Sequence, residues 1–172
     1  MACSITINGR AFPCKTGIGG IKRVWAAAYA DDLWEAIAAG AVADAAASLT
    51  MRSFELTKNS GSLEQTVTSS VENGTIFYSQ VVTMVMPVLT PAANAEISDL
   101  LSARVALVVE DNNGNLLIMG YSLGCEATGG TIGTGTGKGD MNGYSIQFTA
   151  EEQLPAPFVT AGYTDLVLTP AT

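Results

Sequence analysis

Few side chains in this chain could do chemistry, and their spacing argues against most of it. Histidine is absent from all 172 residues. That removes the commonest general base, the usual activator of a serine or cysteine nucleophile, and the favoured metal ligand. The run Gly133-Thr134-Gly135-Thr136-Gly137-Lys138-Gly139-Asp140 invites a phosphate-loop reading. Such a loop needs a glycine where Ile132 stands, a Ser or Thr where Gly139 stands, and a helix opening behind it, whereas a strand pattern follows. Asp111-Asn112-Asn113-Gly114-Asn115 begins like a calcium loop, but Leu116 takes the place of the obligatory glycine and no glutamate closes the loop, so a plain turn is expected. Asp31, Asp32 and Glu35, with Glu151 and Glu152, could pair as acid and base. With no pocket to gather them they read as solvated or inter-subunit charges. Trp25, Tyr29, Trp34, Phe77, Tyr78 and Phe148 could stack on sugar rings, yet their scatter over strand patterns fits core packing better. No catalytic residue, metal ligand or cofactor site is therefore expected.

The elements around these residues must be inferred from composition and periodicity. Sixteen Asp and Glu face eight Lys and Arg, for a formal charge of −8, and only 14% of residues are charged against 48% hydrophobic. Charged residues usually make up about a quarter of a globular chain, so part of the surface is expected to be buried against partners. An acidic balance argues against tight nucleic-acid binding, which depends on cations that displace counterions from phosphates. The sign is uneven: Arg10, Lys15, Lys22 and Arg23 precede every acid, leaving four basic against sixteen acidic residues from Ala26 onward. That start could dock on an acidic neighbour or be a chance of a short segment. The opening MACSITINGRAF shows no export signal, and no apolar run reaches the length of about 18–20 residues that spans a bilayer. The sequon at Asn73-Gly74-Thr75 consequently carries no weight. Cys3, Cys14 and Cys125 are odd in number and lack CxxC spacing, so a free thiol in a reducing compartment is expected.

Strand signals dominate one domain spanning residues 1–172. Residues 3–7 alternate, and Ile21–Ala30 can place Ile21, Arg23, Trp25, Ala27 and Tyr29 on one side, with Lys22 and Val24 opposite. Ser53–Lys58 and Leu63–Val71, separated by Asn59-Ser60-Gly61, read as a polar hairpin. Ile76–Met86 and Ala103–Glu110 are the most apolar, β-branched runs and are expected to be central strands. Thr90-Pro91 opens a short helix over about 91–102, because threonine can cap orphan N–H groups and proline brings a preset φ. Asp111–Asn115 turns Ala103–Tyr121 into a hairpin, and Tyr144–Ala150 is a last strong strand. Trp34–Leu49 is read as a short helix or a semi-ordered loop, and Gly124–Gly143 as a glycine-rich stretch unable to pack a core. These two segments, about 34–49 and 124–143, are the expected mobile parts.

This order of elements, with TPAANAEISDLL, DNNGN and ATGGTIGTGTGKGDMNGYSIQFTAEEQLPAPF, resembles the tail-tube-like virion proteins of tailed bacteriophages. The closest likeness is to small structural proteins of Bacteroidetes-infecting and crAss-like phages. It covers Phe77–Phe158, about half the chain, and the opening Cys3–Ile21 with Cys14-Lys15 and Gly19-Gly20-Ile21. The resemblance implies a mainly β fold, a two-sheet antiparallel β-sandwich or barrel with one short flanking α-helix. It further implies a structural protein of the virion tail, assembled in the bacterial host cytoplasm as a homo-oligomeric ring, commonly a hexamer. Such a ring forms a tube or a hub or connector channel with other virion proteins, through which phage DNA passes without specific binding, and it involves no membrane. Subunit contacts would then fall on Trp34, Ile37 and Val42 and on Gly129, Gly130, Thr131, Ile132, Gly133 and Lys138. Glu55, Glu64 and Glu72 would be candidates to face the bore. A β-sandwich binding module, such as a fibre or capsid decoration domain for a host surface or glycan, is the alternative.

Overall fold

The computed structural model describes residues 9–11 and 15–171; the expected opening strand at residues 3–7, Cys3 and Cys14 lie outside them. The strands are β1 (Ile21–Ala28), β2 (Ala41–Val42), β3 (Leu49–Glu55), β4 (Gly61–Ser70), β5 (Thr75–Pro87), β6 (Val105–Asp111), β7 (Leu116–Met119), β8 (Glu126–Gly133), β9 (Gly143–Glu152), β10 (Phe158–Val159) and β11 (Leu166–Thr169). The helix α1 (Pro91–Ser102) stands between β5 and β6. Seven strands form one sheet in the order β11-β3-β1-β6-β7-β10-β2, and four form a second in the order β4-β5-β9-β8. The expected mainly β, two-sheet fold with one helix is thus observed. The smaller sheet is wholly antiparallel. The larger departs from the antiparallel expectation at its margins, where β11 runs parallel to β3 and β2 parallel to β10.

Between the sheets lies a core built on Val24, Val82, Met84, Leu107, Val109, Tyr144, Ile146 and Phe148, closed at one side by Ile97 of α1. The helix begins as its sequence requires: Thr90 Oγ1 accepts the Ala93 N–H at 3.1 Å, and proline takes the first turn. A second core covers the other face of the larger sheet, where Trp25, Met51, Ala106, Val108, Ile118 and Leu166 pack under Trp34, Val42 and Ala45. β6 is therefore walled in on both faces, which accounts for its unbroken apolar run. β1 is shared in the same way. Trp25, Ala27 and Tyr29 lie together on the second core as their two-residue period demands. Ile21 joins Val24 and Ala26 instead, because the register shifts between Ile21 and Arg23.

Two expected elements are corrected. Residues 53–71 do not form a hairpin. β3 pairs with β1 and β11 in the larger sheet, and β4 pairs with β5 in the smaller. Alternation within each strand satisfies either pairing, but Met51 and Ser53 are buried toward the second core, which binds β3 to the larger sheet. The chain then crosses between sheets through a turn with Asn59 at φ +61°, where a Cβ on Gly61 would come within 2.6 Å of Leu56 Cδ1. β4 finds its partner across Asn73-Gly74, a hairpin dipeptide. Trp34–Leu49 is not helical. It contributes β2 and is tied by bridges between Trp34 and Ala45 and between Ala38 and Ala41. Its alanines serve as small residues fitting a curved cover rather than as helix formers.

Candidate functional site

The smaller sheet ends on two free strands, β4 and β8, at opposite margins. Their surroundings make them the candidate site. Beyond the last β5 to β9 pair, Tyr78 with Glu152, β4 and β5 pair only with each other, from Thr68 with Phe77 to Ser70 with Thr75. This two-stranded arm and its base leave Val67, Val71 and Ile76 exposed, Val71 at 95%. Isolated two-stranded ribbons are marginal in water, and apolar tips ask for cover. On the other margin, part of the glycine-rich stretch is ordered strand: Glu126–Gly133 pairs along β9, with a bulge between Ala127 and Gly129. A Cβ on Gly130 would stand 2.7 Å from the Ser145 carbonyl oxygen, so glycine is required for that pairing. Gly129, Gly130, Thr131, Ile132 and Gly133 thus lie together on one free edge, with Ile132 54% exposed.

The outward face of this sheet follows from its register. Glu64, Val81, Thr149 and Glu126 make one row across all four strands; Thr66, Ser79 and Glu151 make the next; Ser62, Thr83 and Gln147 flank the first. The face sets hydroxyls, amides and carboxylates around Val81, with Phe77 and Val85 on the same side of β5, and β4, β5, β8 and β9 carry no lysine or arginine. Arg104, at the start of β6, reaches Glu126 at 3.9 Å from the rim. Of the acids expected on one surface, Glu64 belongs to this face. Glu55 sits on the larger sheet 3.9 Å from Arg23, and Glu72 stands in the turn of the arm. Glu126 and Glu151 share the face with Glu64. Only strand pairing reveals them, since spacing along the chain carries no sign of it.

Trp34 and Val42 are taken up by the second core, at 6% and 0% exposure, and Ile37 packs partly against it. Lys138 stands apart from them on the loop 134–142, flanked by Gly137 and Gly139. The amides of that loop already hold an anion of their own: Asp140 Oδ2 accepts N–H groups from Thr136 at 2.9 Å and Gly137 at 2.6 Å, and the Thr136 hydroxyl at 3.1 Å. Those bonds, the Gly137 N–H first, hold its carboxyl below the usual range. The Asp111 turn is closed likewise. Asp111 Oδ1 accepts the N–H groups of Asn113 and Asn115, both at 2.8 Å. Asn113 and Asn112 then clamp the extended segment Ile18–Gly20 by bonds to its backbone.

The basic start is partly spent within the chain, since Lys22 and Arg23 both meet Glu110, at 3.2 and 3.5 Å. The paired carboxylates separate: Glu151 faces solvent, whereas Glu152 is buried and accepts the N–H groups of Ser122 and Leu123 at 2.9 Å each. Tyr29 gathers Asp31 at 3.4 Å, and its hydroxyl is pushed above its ordinary range by burial and then by Asp31. Cys125 is a free, buried thiol, raised by burial and by Glu152. Among the described residues no three His, Cys, Asp or Glu side chains gather as metal ligands, and no helix is long and apolar enough to cross a membrane. No protein-family model, curated protein or solved structure matches the chain.

Proposed function

We propose that the chain is a structural, non-catalytic subunit that assembles with copies of itself, edge to edge, into a closed ring. The observation that carries this reading is the four-stranded antiparallel sheet whose two free margins, β4 and β8, run in opposite directions. With an even number of strands, β8 of one copy meets β4 of the next in antiparallel sense, so one heterologous contact repeats around the ring and uses both margins of this smaller sheet. A closed sheet of many strands encloses an aqueous bore. The outward face, whose strands carry Glu64, Glu126 and Glu151 and no lysine or arginine, with Arg104 reaching Glu126 from the rim, gives that bore a net acidic lining that repels a polyanion. Glu64 and Glu126 end one row from opposite margins, so pairing in that row would set two carboxylates side by side. The stagger that barrel closure requires relieves the clash.

Together with the resemblance to phage tail proteins, this supports a ring of a phage tail, tube or hub, through which DNA passes. The test is multi-angle light scattering with negative-stain microscopy of the purified chain. Rings of uniform copy number are the expected result, and a monomer at high concentration overturns the reading.

A further inference from the structure

A cavity of about 320 Å³ opens at one end of the sandwich, lined by Tyr29, Asp31, Asp32, Leu33, Trp34, Tyr121 and Ser122. Two exposed carboxylates beside aromatic side chains in one concavity suit an organic cation, attracted chiefly by charge. The surrounding field has the same sign. Glu152 lies behind Ser122, and Arg104 stands over the Tyr29 ring at 5.1 Å from its centroid and 3.9 Å from Glu126. Trp34 brings a further feature: it is 94% buried, and among the described residues its Nε1–H has no acceptor. A buried donor without a partner is costly.

The chain carries a matching projection. Lys138 stands exposed on the loop 134–142, between Gly137, whose carbonyl accepts the Asp140 N–H at 3.1 Å, and Gly139, in a turn pinned by Asp140. No acid of the described residues pairs with it. Loop and cavity also lie at opposite ends of one strand. β9 leaves the loop at Gly143 and ends at Glu152, which holds the Ser122 N–H at the cavity wall, about 30 Å away along the strand. A second copy displaced by about that length along the β9 direction would bring its loop level with this cavity.

We infer that the Tyr29, Trp34, Tyr121, Asp31 and Asp32 cavity receives Lys138 of a second copy, a head-to-tail contact that stacks one ring on the next. The inference rests on the ring reading for its biological setting, but the contact can be tested without it.

The experiment compares the full chain with Lys138→Glu, Asp32→Lys and the exchange Lys138→Asp with Asp32→Lys, by sedimentation velocity and microscopy at low salt. Both positions are exposed, and thermal transitions within about 2 °C of wild type verify folding. Stacked tubes for wild type, single rings for each single variant, and recovery of tubes in the exchange are the expected results. Tubes unchanged by Lys138→Glu overturn the stacking contact and leave the ring intact. Should wild type form no rings, the ring reading fails, and the contact is read by oxidative cross-linking of Lys138→Cys with Asp32→Cys, Cys3 and Cys14 being replaced by serine. A ladder of linked copies upholds it, and monomer alone overturns it.

Discussion

Asp44 accepts the backbone N–H of Leu166 at 2.8 Å across 122 residues of sequence. The same carboxylate takes the N–H groups of Thr164, Asp165 and Ala45, so it fastens the cover of the second core to the start of β11. Burial alone would raise its pKa, but these four backbone donors overcome that and hold the carboxyl well below the usual range. A depressed folded-state pKa gives stability that is complete above the unfolded value, near about pH 4, and is lost as pH falls toward the folded one. The advantage of wild type over Asp44→Asn in urea midpoint should therefore be constant from pH 7 to about 5 and narrow below about pH 4. An advantage that widens on acidification would contradict this assignment.

Adjacent glutamates should behave differently. Glu152→Ala leaves the N–H groups of Ser122 and Leu123 without their carboxylate in a part-buried setting and should cost about 1–3 kcal/mol. Glu151→Ala, on the solvent face, should stay within about 0.5 kcal/mol of wild type. Thermal denaturation of the two variants at pH 7 measures the contrast, and equal effects would mean that the buried acceptor is not holding the segment after β7.

The helix offers a local test. Thr90→Ala removes the oxygen that accepts the Ala93 N–H and should destabilise by about 1 kcal/mol, while Thr90→Ser should be close to neutral. Chemical denaturation resolves a difference of this size.

The free margins can be blocked without touching either core. Ile132→Lys on β8 and Val67→Lys on β4 place charges on strands where both side chains are 54% exposed. Each should abolish rings in light scattering and leave the monomer's stability within about 0.5 kcal/mol. Rings that persist in both variants would mean that other surfaces hold the copies together.

Features written in neighbouring residues are legible from the amino-acid order by itself. The cap at Thr90, the turn at Asp111–Asn115 and the double-sided run of β6 each occupy a short window of sequence, and each stands where its pattern indicates. What escapes such a reading depends on residues distant in sequence. Nothing within 53–71 says that its two strands serve different sheets, because that is decided by Met51 beneath Leu166 and by β4 beside β5. Trp34–Leu49, rich in alanine and interrupted by Gly40, shows no clear period until the Trp25 face it covers is in place. Glu126 and Glu151 join Glu64 through two intervening strands, a relation with no linear signature.

The grip of Asp44 on Leu166 also bears on how the molecule is made. At about 5–20 residues per second a ribosome needs about 6–24 s to travel between these two positions. Throughout that interval Met51 awaits the strand that will shelter it, and β3 lacks one neighbour. The nascent chain thus spends several seconds with the apolar edge of β3 uncovered, until the strand that the Asp44 latch fastens has been made.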